Sequence, residues 1–242
     1  MDFCEFKALF EDSLQKNGLP EHFSAYSEQF YAFSTHLLEV NQITNLTAIR
    51  NLPDTISKHL IDSLLAAEYL PNSAKVLDLG CGPGFPSIPL AIARPDLQLT
   101  ALDSTAKKIV FVKDAAKRLS LANLTAIAGR AEDVAVSKQI GKVDAVVSRA
   151  VAKMSVLSEL CLPYLKIGGI FVALKASKAE EELAEAKSAV QKLGGGEARM
   201  HYKELYLTDG SVEPRCLIEI QKECATPNGY PRAYAAILKK PL

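Results

Sequence analysis

The sequence lacks the features of a membrane protein, a disulfide-bonded protein or a uniformly basic nucleic-acid binder. No apolar run reaches the roughly 18 residues that a membrane-spanning helix needs, and residues 1–5 carry no signal-peptide pattern. The five cysteines include no Cys-x-x-Cys pair, so neither a zinc site nor a disulfide framework has support. Lys plus Arg and Asp plus Glu number 28 each, which leaves room only for a local basic patch. We expect a cytoplasmic protein with no membrane contact and no metal.

The length and composition are those of one large domain with an appendage. The chain has 242 residues, of which 48% are hydrophobic, enough for a sizeable buried core but too few for two complete enzyme domains. No internal repeat or low-complexity segment interrupts it. We predict a helical segment over residues 1–72 and a single larger domain over residues 73–242.

The amino-terminal segment shows helical periodicity and no convincing strand. Apolar residues from Phe3 to Leu14 recur at helical spacing and end at Asn17-Gly18. A second helix is predicted after Pro20, with a stripe of aromatic residues on one face, and a third over residues 54–69. Residues 41–48 between them are polar and poor in helix formers. We interpret the aromatic stripe as packing against the following domain.

From Lys75 onward, strand-like and helix-like runs alternate. Strands are predicted over residues 75–79, 97–102, 124–128, 143–147 and 169–174, and helices over residues 86–94, 105–119, 154–165 and 178–193. Two further extended runs, 198–207 and 215–221, are joined by Thr208-Asp209-Gly210, which predicts a hairpin closing the sheet with an antiparallel edge. The expected fold is α/β, with a doubly wound, mostly parallel, seven-stranded Rossmann-like sheet behind an amino-terminal helical segment.

The sharpest signal is a glycine-rich turn after the first predicted strand, Asp78-Leu79-Gly80-Cys81-Gly82-Pro83-Gly84-Phe85-Pro86. Glycines there let the backbone approach a ligand closely beyond the carboxyl ends of the strands. The Gly-Lys-Ser/Thr of a P-loop is missing, and Phe85 stands where a dinucleotide fingerprint needs its third glycine. Asp78 beside the loop suits S-adenosylmethionine, which has no phosphate and carries an ammonium and a sulfonium. We therefore predict that Asp78, Gly80, Gly82 and Phe85 bind this cofactor.

Two later loops complete the predicted cofactor site. Asp103, followed by Ser104, ends the second strand, where its carboxylate can accept both ribose hydroxyls. After the third strand comes the polar loop Gly129-Arg130-Ala131-Glu132-Asp133, which in this fold flanks the adenine ring. We expect a backbone amide at Ala131 or Glu132 to bond to that ring.

The fourth strand should carry the chemistry at its tip, residues 144–152. Neither the Asn/Asp-Pro-Pro-aromatic motif of many amino-group methyltransferases nor a cysteine nucleophile is present there, and Cys161 is expected in the core. A ring nitrogen with a free lone pair, such as N7 of guanine, needs no general base, so positioning alone can supply the rate. Arg149 is the predicted catalytic residue, able to contact the cofactor or the acceptor edge of a guanine.

Taken together, these motifs resemble the bacterial 16S ribosomal RNA guanine-N(7) methyltransferases, the glucose-inhibited division protein B family. The resemblance covers nearly the whole chain. It rests on Asn45-Leu46-Thr47-Ala48-Ile49, His59-x-x-Asp62-Ser63, the glycine loop through Leu90, Leu102-Asp103-Ser104-x-x-Lys107-Lys108-x-x-Phe111, Arg130-Ala131-Glu132-Asp133, Ser148-Arg149-Ala150 and the basic end Lys240-Pro241-Leu242.

The resemblance implies in-line methyl transfer from S-adenosylmethionine to N7 of one guanine in the 530 loop of 16S ribosomal RNA. It also implies that Gly80, Phe85, Ala131, Glu132 and Arg149 match cofactor-binding positions. The expected partner is 16S ribosomal RNA or a small-subunit particle, and a monomer suffices. The chain departs from the family pattern at three places: Ser87, Lys175-Ala176 and the final segment, residues 230–242, which lacks the usual glycine.

The RNA contacts and the substrate class leave alternatives open. We hypothesise that Arg50, His59, Lys153, Lys175 and the basic carboxyl terminus meet RNA phosphate around the cleft. A methyltransferase of the same fold acting on a small molecule or a protein would keep every cofactor argument. A nicotinamide-dependent oxidoreductase is a second alternative, against which Phe85 argues.

Overall fold

A computed structural model describes residues 1–149 and 152–242. Ala150 of the Ser148-Arg149-Ala150 motif, and Val151 in the predicted tip of the fourth strand, lie outside the described residues. In the described part, no helix is both long enough and apolar enough to cross a membrane.

The first seventy residues are helical, as predicted. The elements are α1 (Phe3–Lys16), a 3-10 helix (Glu21–Tyr26), α2 (Ser27–Thr44), α3 (Leu52–Asp54), a π-helix (Thr55–Ile61), α4 (Asp62–Leu64) and a 3-10 turn (Ala67–Tyr69). A capping box between Asp2 and Glu5 begins α1. The predicted third helix therefore consists of α3, the π-helix and α4. The prediction that residues 41–48 lie between two helices was wrong at its start, because α2 continues to Thr44.

A buried asparagine shapes the loop that follows α2. The side chain of Asn41 is only 1% exposed. Its Oδ1 accepts from the backbone N–H groups of Leu46 and Thr47 at 2.7 and 2.9 Å, and its Nδ2 donates to the carbonyls of Thr47 and Ile49 at 2.9 and 3.0 Å. Four hydrogen bonds to one side chain thus fix the Asn45–Ile49 motif against the rest of the protein.

Alternating strands and helices follow, close to the predicted ranges. They are β1 (Lys75–Leu79), α5 (Ser87–Ala93), β2 (Gln98–Asp103), α6 (Ala106–Arg118), β3 (Leu124–Ala128), α7 (Val134–Ile140), β4 (Val143–Arg149), α8 (Met154–Cys161), a 3-10 turn (Leu162–Tyr164), β5 (Leu165–Lys175), α9 (Ala179–Lys192), β6 (Gly195–Tyr206), β7 (Val212–Lys222) and α10 (Tyr234–Lys239). Helices α7 and α10 were not predicted, because each buries a single residue, Val136 and Ile237.

The sheet confirms the predicted fold class. Its strand order is β3-β2-β1-β4-β5-β7-β6, and β7 runs antiparallel to both of its neighbours while the first five strands are parallel. The chain leaves β1 towards β2 and later returns to its other side as β4, so the ends of β1 and β4 flank the switch point where ligands bind in such sheets. The predicted hairpin is present, but β7 lies inside the sheet and β6 forms the edge.

The amino-terminal helices share a core with one face of the sheet. Phe33 of α2 packs against Phe85 of the glycine loop and Phe111 of α6, with ring centroids 5.4 and 6.3 Å apart. All three rings belong to one cluster of buried residues that also includes Phe6, Phe10 and Phe30. The aromatic stripe is therefore core, as predicted. Helices α8, α9 and α10 cover the other face.

Candidate active site

A cavity of about 730 Å³ opens at the carboxyl ends of β1, β2 and β4. Eight of the nine predicted cofactor residues line it: Gly80, Gly82, Phe85, Asp103, Ser104, Ala131, Glu132 and Arg149. The ninth, Asp78, does not line the cavity and is treated separately below. The topology thus gathers at one place residues from four separate segments of the sequence.

The glycine turn is held in shape by the neighbouring strand. The N–H groups of Gly80 and Cys81 donate to the carbonyl of Leu102 at 2.8 and 3.0 Å. Gly80, Gly82 and Gly84 all have positive φ, at 80°, 56° and 102°. Gly82 lines the cavity, and a methyl group added to it would meet only open space. A ligand can therefore approach the backbone at Gly82 where any other residue would project a side chain.

Asp103 joins the glycine turn to the end of β2. Its Oδ2 accepts from the N–H of Gly82 at 2.9 Å, and its Oδ1 accepts from the N–H of Thr105 at 2.7 Å. A carboxylate offers about four lone-pair positions. Two remain after these bonds, which is the number that the two hydroxyls of a ribose require.

Asp78 is fully buried behind the turn. Its Oδ2 accepts from the N–H of Ser87 at 2.9 Å, whereas its Oδ1 has no hydrogen-bond partner among the described residues. Burial raises the pKa of this carboxyl to about 7. A buried acid with an unpartnered oxygen favours positive charge nearby, so the residues present fit a cationic ligand. Ser87, the departure from the family pattern, keeps this bond through its backbone.

The loop after β3 forms another wall of the cavity. The N–H of Gly129 donates to the carbonyl of Asp103 at 3.1 Å, which fixes this loop beside the predicted ribose position. Ala131 is 8% exposed, and its carbonyl accepts from the hydroxyl of Tyr164 at 2.7 Å. Burial raises the pKa of Tyr164 to about 12, so the phenol stays protonated as this donor.

Arg149 at the tip of β4 is held by the amino-terminal helices. Its NH1 donates to Asp62 Oδ2 at 2.8 Å and to the carbonyl of Lys58 at 2.9 Å. Its guanidinium also lies 5.1 Å from the centroid of the Phe85 ring. The other oxygen of Asp62 accepts from Arg215 Nε of β7 at 2.7 Å. Arg149 is thus a largely buried, oriented cation at the cavity.

His59 completes this cluster as a neutral ring. It stacks on Phe85 with centroids 4.2 Å apart, and its Nδ1 and Nε2 lie 3.2 Å from Arg149 NH2 and 2.8 Å from Thr47 Oγ1. Because Arg149 can only donate, Nδ1 accepts and Nε2–H donates to the threonine hydroxyl. Burial and the nearby Arg149 charge lower the pKa of His59 to about 3.

These contacts correct the predicted phosphate-binding patch. The prediction was wrong for His59, which is neutral and bonded within the protein. It was also wrong for Lys175, whose side chain is 8% exposed and whose Nζ lies 2.6 Å from Glu182. Lys153 is exposed and pairs with Glu185 at 3.1 Å, and its contact with RNA stays a prediction. Arg50 and the basic carboxyl terminus remain predictions. Cys161 lies in the core, as predicted.

Several cavity residues were missed at the sequence level. Thr47, Lys58, Asp62 and Tyr234 line the cavity, and Arg215 supports it from behind. His59-x-x-Asp62 was available as a signal, because residues three apart share one face of a helix. Arg215 and Tyr234 carried no such signal, since each reaches the site only through the fold.

Comparison with known proteins matches this chain to one family. The model of the family described as rRNA small subunit methyltransferase G matches residues 26–206. The Ribosomal RNA small subunit methyltransferase G of Lactobacillus delbrueckii subsp. bulgaricus is 41% identical over 239 residues, covering 97% of this chain and 98% of the relative. The protein of that name from Deinococcus radiodurans is 43% identical over 220 residues, covering 90% of this chain and 86% of that relative.

The solved structures agree on the fold. The precorrin-6y C5,15-methyltransferase of Geobacter metallireducens superposes with a TM-score of 0.54 over 74% of this chain and 92% of that one, at 17% identity. A likeness at this identity concerns the fold alone, and it agrees with the predicted Rossmann-like class. The family that the sequence motifs predicted is confirmed by the relatives: this chain belongs to the rRNA small subunit methyltransferase G family.

Proposed function

We propose that this protein transfers a methyl group from S-adenosylmethionine to N7 of one guanine in the 530 loop of 16S ribosomal RNA. The observation that carries the proposal is the convergence of eight predicted residues on one cavity in a chain of this family. Residues 73–242 supply the cofactor wall of the cavity, and residues 1–72 supply the wall around His59 and Asp62.

The cofactor brings an electrophilic methyl group on a sulfonium, and the protein has to hold it. Asp103 has two lone pairs free for ribose hydroxyls after bonding Gly82 and Thr105. Ala131 and Glu132 line the cavity where the purine is predicted to lie, and Gly82 leaves room for close approach. Asp78 contributes negative charge behind the turn when it is ionised. Together these residues select a ligand with a ribose, a purine and positive charge.

The site is built for attack by a nucleophile that needs no deprotonation. His59 is the obvious candidate base, but both ring nitrogens are bonded within the protein and burial lowers its pKa to about 3. A group of that basicity accepts a proton poorly at neutral pH. Guanine N7 already presents a lone pair in its ring plane, so alignment with the methyl group supplies the rate.

Arg149 is the residue that we propose orients the guanine. Its NH1 is occupied by Asp62 and Lys58, which fixes the plane of the guanidinium. A fixed guanidinium can donate to O6 of guanine, which leaves the lone pair of the adjacent N7 free to attack the methyl group. Arg149 therefore acts by positioning, since a guanidinium charge does not stabilise the cation that forms on the methylated ring.

A methylation map of 16S ribosomal RNA tests the proposal. RNA from cells with and without the gene is compared for N7-methylguanosine by chemical cleavage, with a catalytically impaired Arg149→Ala copy as the complementation control. One guanine in the 530 loop should lose its methyl group without the gene and regain it only with the wild-type copy. An unchanged map would remove the RNA proposal.

An assay with purified components tests whether the substrate is naked RNA or an assembled particle. Purified protein and labelled S-adenosylmethionine are incubated with naked 16S RNA and with small-subunit particles. Methylation of a small molecule or a protein in place of either RNA substrate would favour the alternative methyltransferase function.

We also propose that the protein is a cytoplasmic, metal-independent monomer. Sedimentation should then give a single 26.2 kDa species, and EDTA should leave activity unchanged.

A further inference from the structure

The carboxyl-terminal segment is fastened to the domain by a buried ion pair. Glu159 of α8 is 0% exposed, and its carboxylate accepts three hydrogen bonds from Arg232: from the backbone N–H at 2.9 Å, from Nε at 2.8 Å and from NH2 at 2.6 Å. A buried carboxylate is costly unless it is paired and hydrogen-bonded in this way. The pair therefore defines where the chain after Arg232 must run.

Helix α10 follows directly and is seated by one buried side chain. Ile237 is 0% exposed and belongs to the cluster formed by α8 and α9. The carbonyl of Lys240 accepts from Arg232 NH1 at 3.1 Å, which closes the segment on itself. Between these fastenings, Tyr234 is half-buried and lines the active-site cavity.

Tyr234 shares its side of the cavity with the loop after β3. The guanidinium of Arg130 lies 5.8 Å from the centroid of the Tyr234 ring. Arg130 belongs to the loop whose Gly129 bonds the backbone of Asp103, the proposed ribose acceptor. An aromatic ring placed one loop beyond a ribose site lies where the base of a nucleoside would be. Arg149 and Asp62, which also line the cavity, belong to β4 and to the amino-terminal helices.

We propose that Tyr234 is a purine-binding residue of the cofactor site and that the Glu159–Arg232 pair latches it in place. This inference rests on the proposed function, because it assigns a contact to the same cofactor. The ring supplies an apolar face against which a purine can stack, and Arg130 braces its position. The carboxyl-terminal segment is thus a wall of the active site as well as an end of the chain.

Calorimetric titration with S-adenosylhomocysteine tests the contact. Tyr234→Ala should weaken binding about tenfold, in the range of one lost base–aromatic stack, whereas Tyr234→Phe should stay within about twofold because the ring face remains. Leu238→Ala is the matched control, since Leu238 lies on the same helix, is 53% exposed and does not line the cavity. Its affinity should equal that of the wild type.

A second probe locates the contact on the ligand. Binding of 5′-methylthioadenosine, which keeps the purine and ribose but lacks the amino acid, should weaken by the same factor in Tyr234→Ala. In turnover assays this variant should raise KM for S-adenosylmethionine and leave kcat within about twofold, since the lost contact holds the cofactor equally in ground and transition states. A loss confined to kcat would overturn the assignment.

The latch is tested in the full chain with the double variant Glu159→Leu/Arg232→Leu, which keeps Tyr234 and avoids leaving a buried unpaired carboxylate. It should bind S-adenosylhomocysteine about tenfold more weakly, like Tyr234→Ala. Wild-type affinity in Tyr234→Ala would refute the purine contact, and wild-type affinity in the double variant would refute the latch; either result would leave the proposed function standing. If the wild-type protein itself failed to bind the ligand, the proposed function would fall first.

Discussion

Asp62 and Arg149 lie 87 residues apart in sequence and meet at 2.8 Å. The same carboxylate accepts from Arg215, so one acid of the amino-terminal segment organises cations from β4 and β7. Asp62 is 6% exposed, and this three-residue bridge is therefore largely shielded from solvent. The amino-terminal helices consequently supply a wall of the candidate active site in addition to covering the sheet.

Replacing Asp62 should damage both stability and activity. Asp62→Asn leaves the largely buried Arg149 without its counter-ion and Arg215 with Glu213 alone. Breaking a buried pair typically costs about 3–5 kcal/mol. Denaturant unfolding should show this loss, and methylation should fall because Arg149 is no longer oriented. Asp54→Asn is the control: its pair with Lys58 is about one-third exposed on the same helical stretch, so both measurements should change little. Equal effects of the two variants would contradict the role of Asp62.

Two glycines of the cofactor turn should respond differently to alanine. At Gly84, with φ +102°, a Cβ would collide with the side chain of the buried Ile88, so Gly84→Ala should lower the unfolding free energy by about 2 kcal/mol. At Gly82, with φ +56°, the methyl meets open space, and the cost should be about 1 kcal/mol. Gly82→Ala should instead weaken S-adenosylhomocysteine binding, because the methyl occupies the ligand side. Calorimetry and thermal unfolding on both variants separate these effects.

Cofactor affinity should increase with pH through the titration of Asp78. Burial raises the pKa of this carboxyl from 3.8 to about 7 in the free protein, and a cationic ligand favours its ionised form. Between pH 6 and pH 8 the affinity for S-adenosylmethionine should therefore rise about tenfold, and Asp78→Asn should abolish the slope. A wild-type affinity that is flat over this range would contradict the proposal.

Stability is the wrong probe for that titration. The raised pKa of Asp78 contributes stability that is complete below pH 3.8 and is lost as the pH rises towards 7. The pKa of His59, lowered from 6.5 to about 3, contributes stability that is complete above pH 6.5 and is lost as the pH falls. Between pH 3.8 and pH 6.5, Asp78 lowers the unfolding free energy as the pH rises, whereas His59 raises it. Because the two effects oppose each other, ligand binding has to be measured directly.

Loss of the Asp103 carboxylate should nearly abolish cofactor binding. Asp103→Ala removes the acceptor for the ribose and also the bonds that fix Gly82 and Thr105. Hydrogen bonds to a charged group are worth about 1.5–3 kcal/mol each, so affinity for S-adenosylhomocysteine should fall at least about a hundredfold. Asp209→Ala in the β6–β7 turn, where the carboxylate is exposed and accepts from Ser211, should leave affinity unchanged. Retained binding in Asp103→Ala would overturn the assignment of the pocket.

The fold was predictable because its signals are local. Buried apolar runs flanked by glycine and polar turns marked β1 to β5, and strand ends were displaced by only a few residues except in β5 and the hairpin. The π-helix over Thr55–Ile61 was not predictable, since a π turn shifts helical periodicity by too little to be visible in a short stretch. Helix α10 was missed because one buried residue, Ile237, gives no pattern.

The site was predictable on its cofactor side and not on its other sides. The glycine turn, Asp103 and the loop after β3 lie directly after strands, so chain position alone brings them to one edge of the sheet. Chain position did not show which charged side chains are free to bind a ligand. His59 and Lys175 look like phosphate-binding cations in sequence, yet the ring is buried against Phe85 and the ammonium is paired with Glu182.

The sequence by itself determined the α/β class, the cofactor turn and the family, because each of these depends on residues within a few positions of one another. Only the tertiary structure decided that Asp62 orients Arg149, that one oxygen of the buried Asp78 has no partner among the described residues and that Tyr234 reaches the cavity. Burial and pairing between distant segments set the charge and orientation of a side chain, and neither quantity exists until the chain has folded.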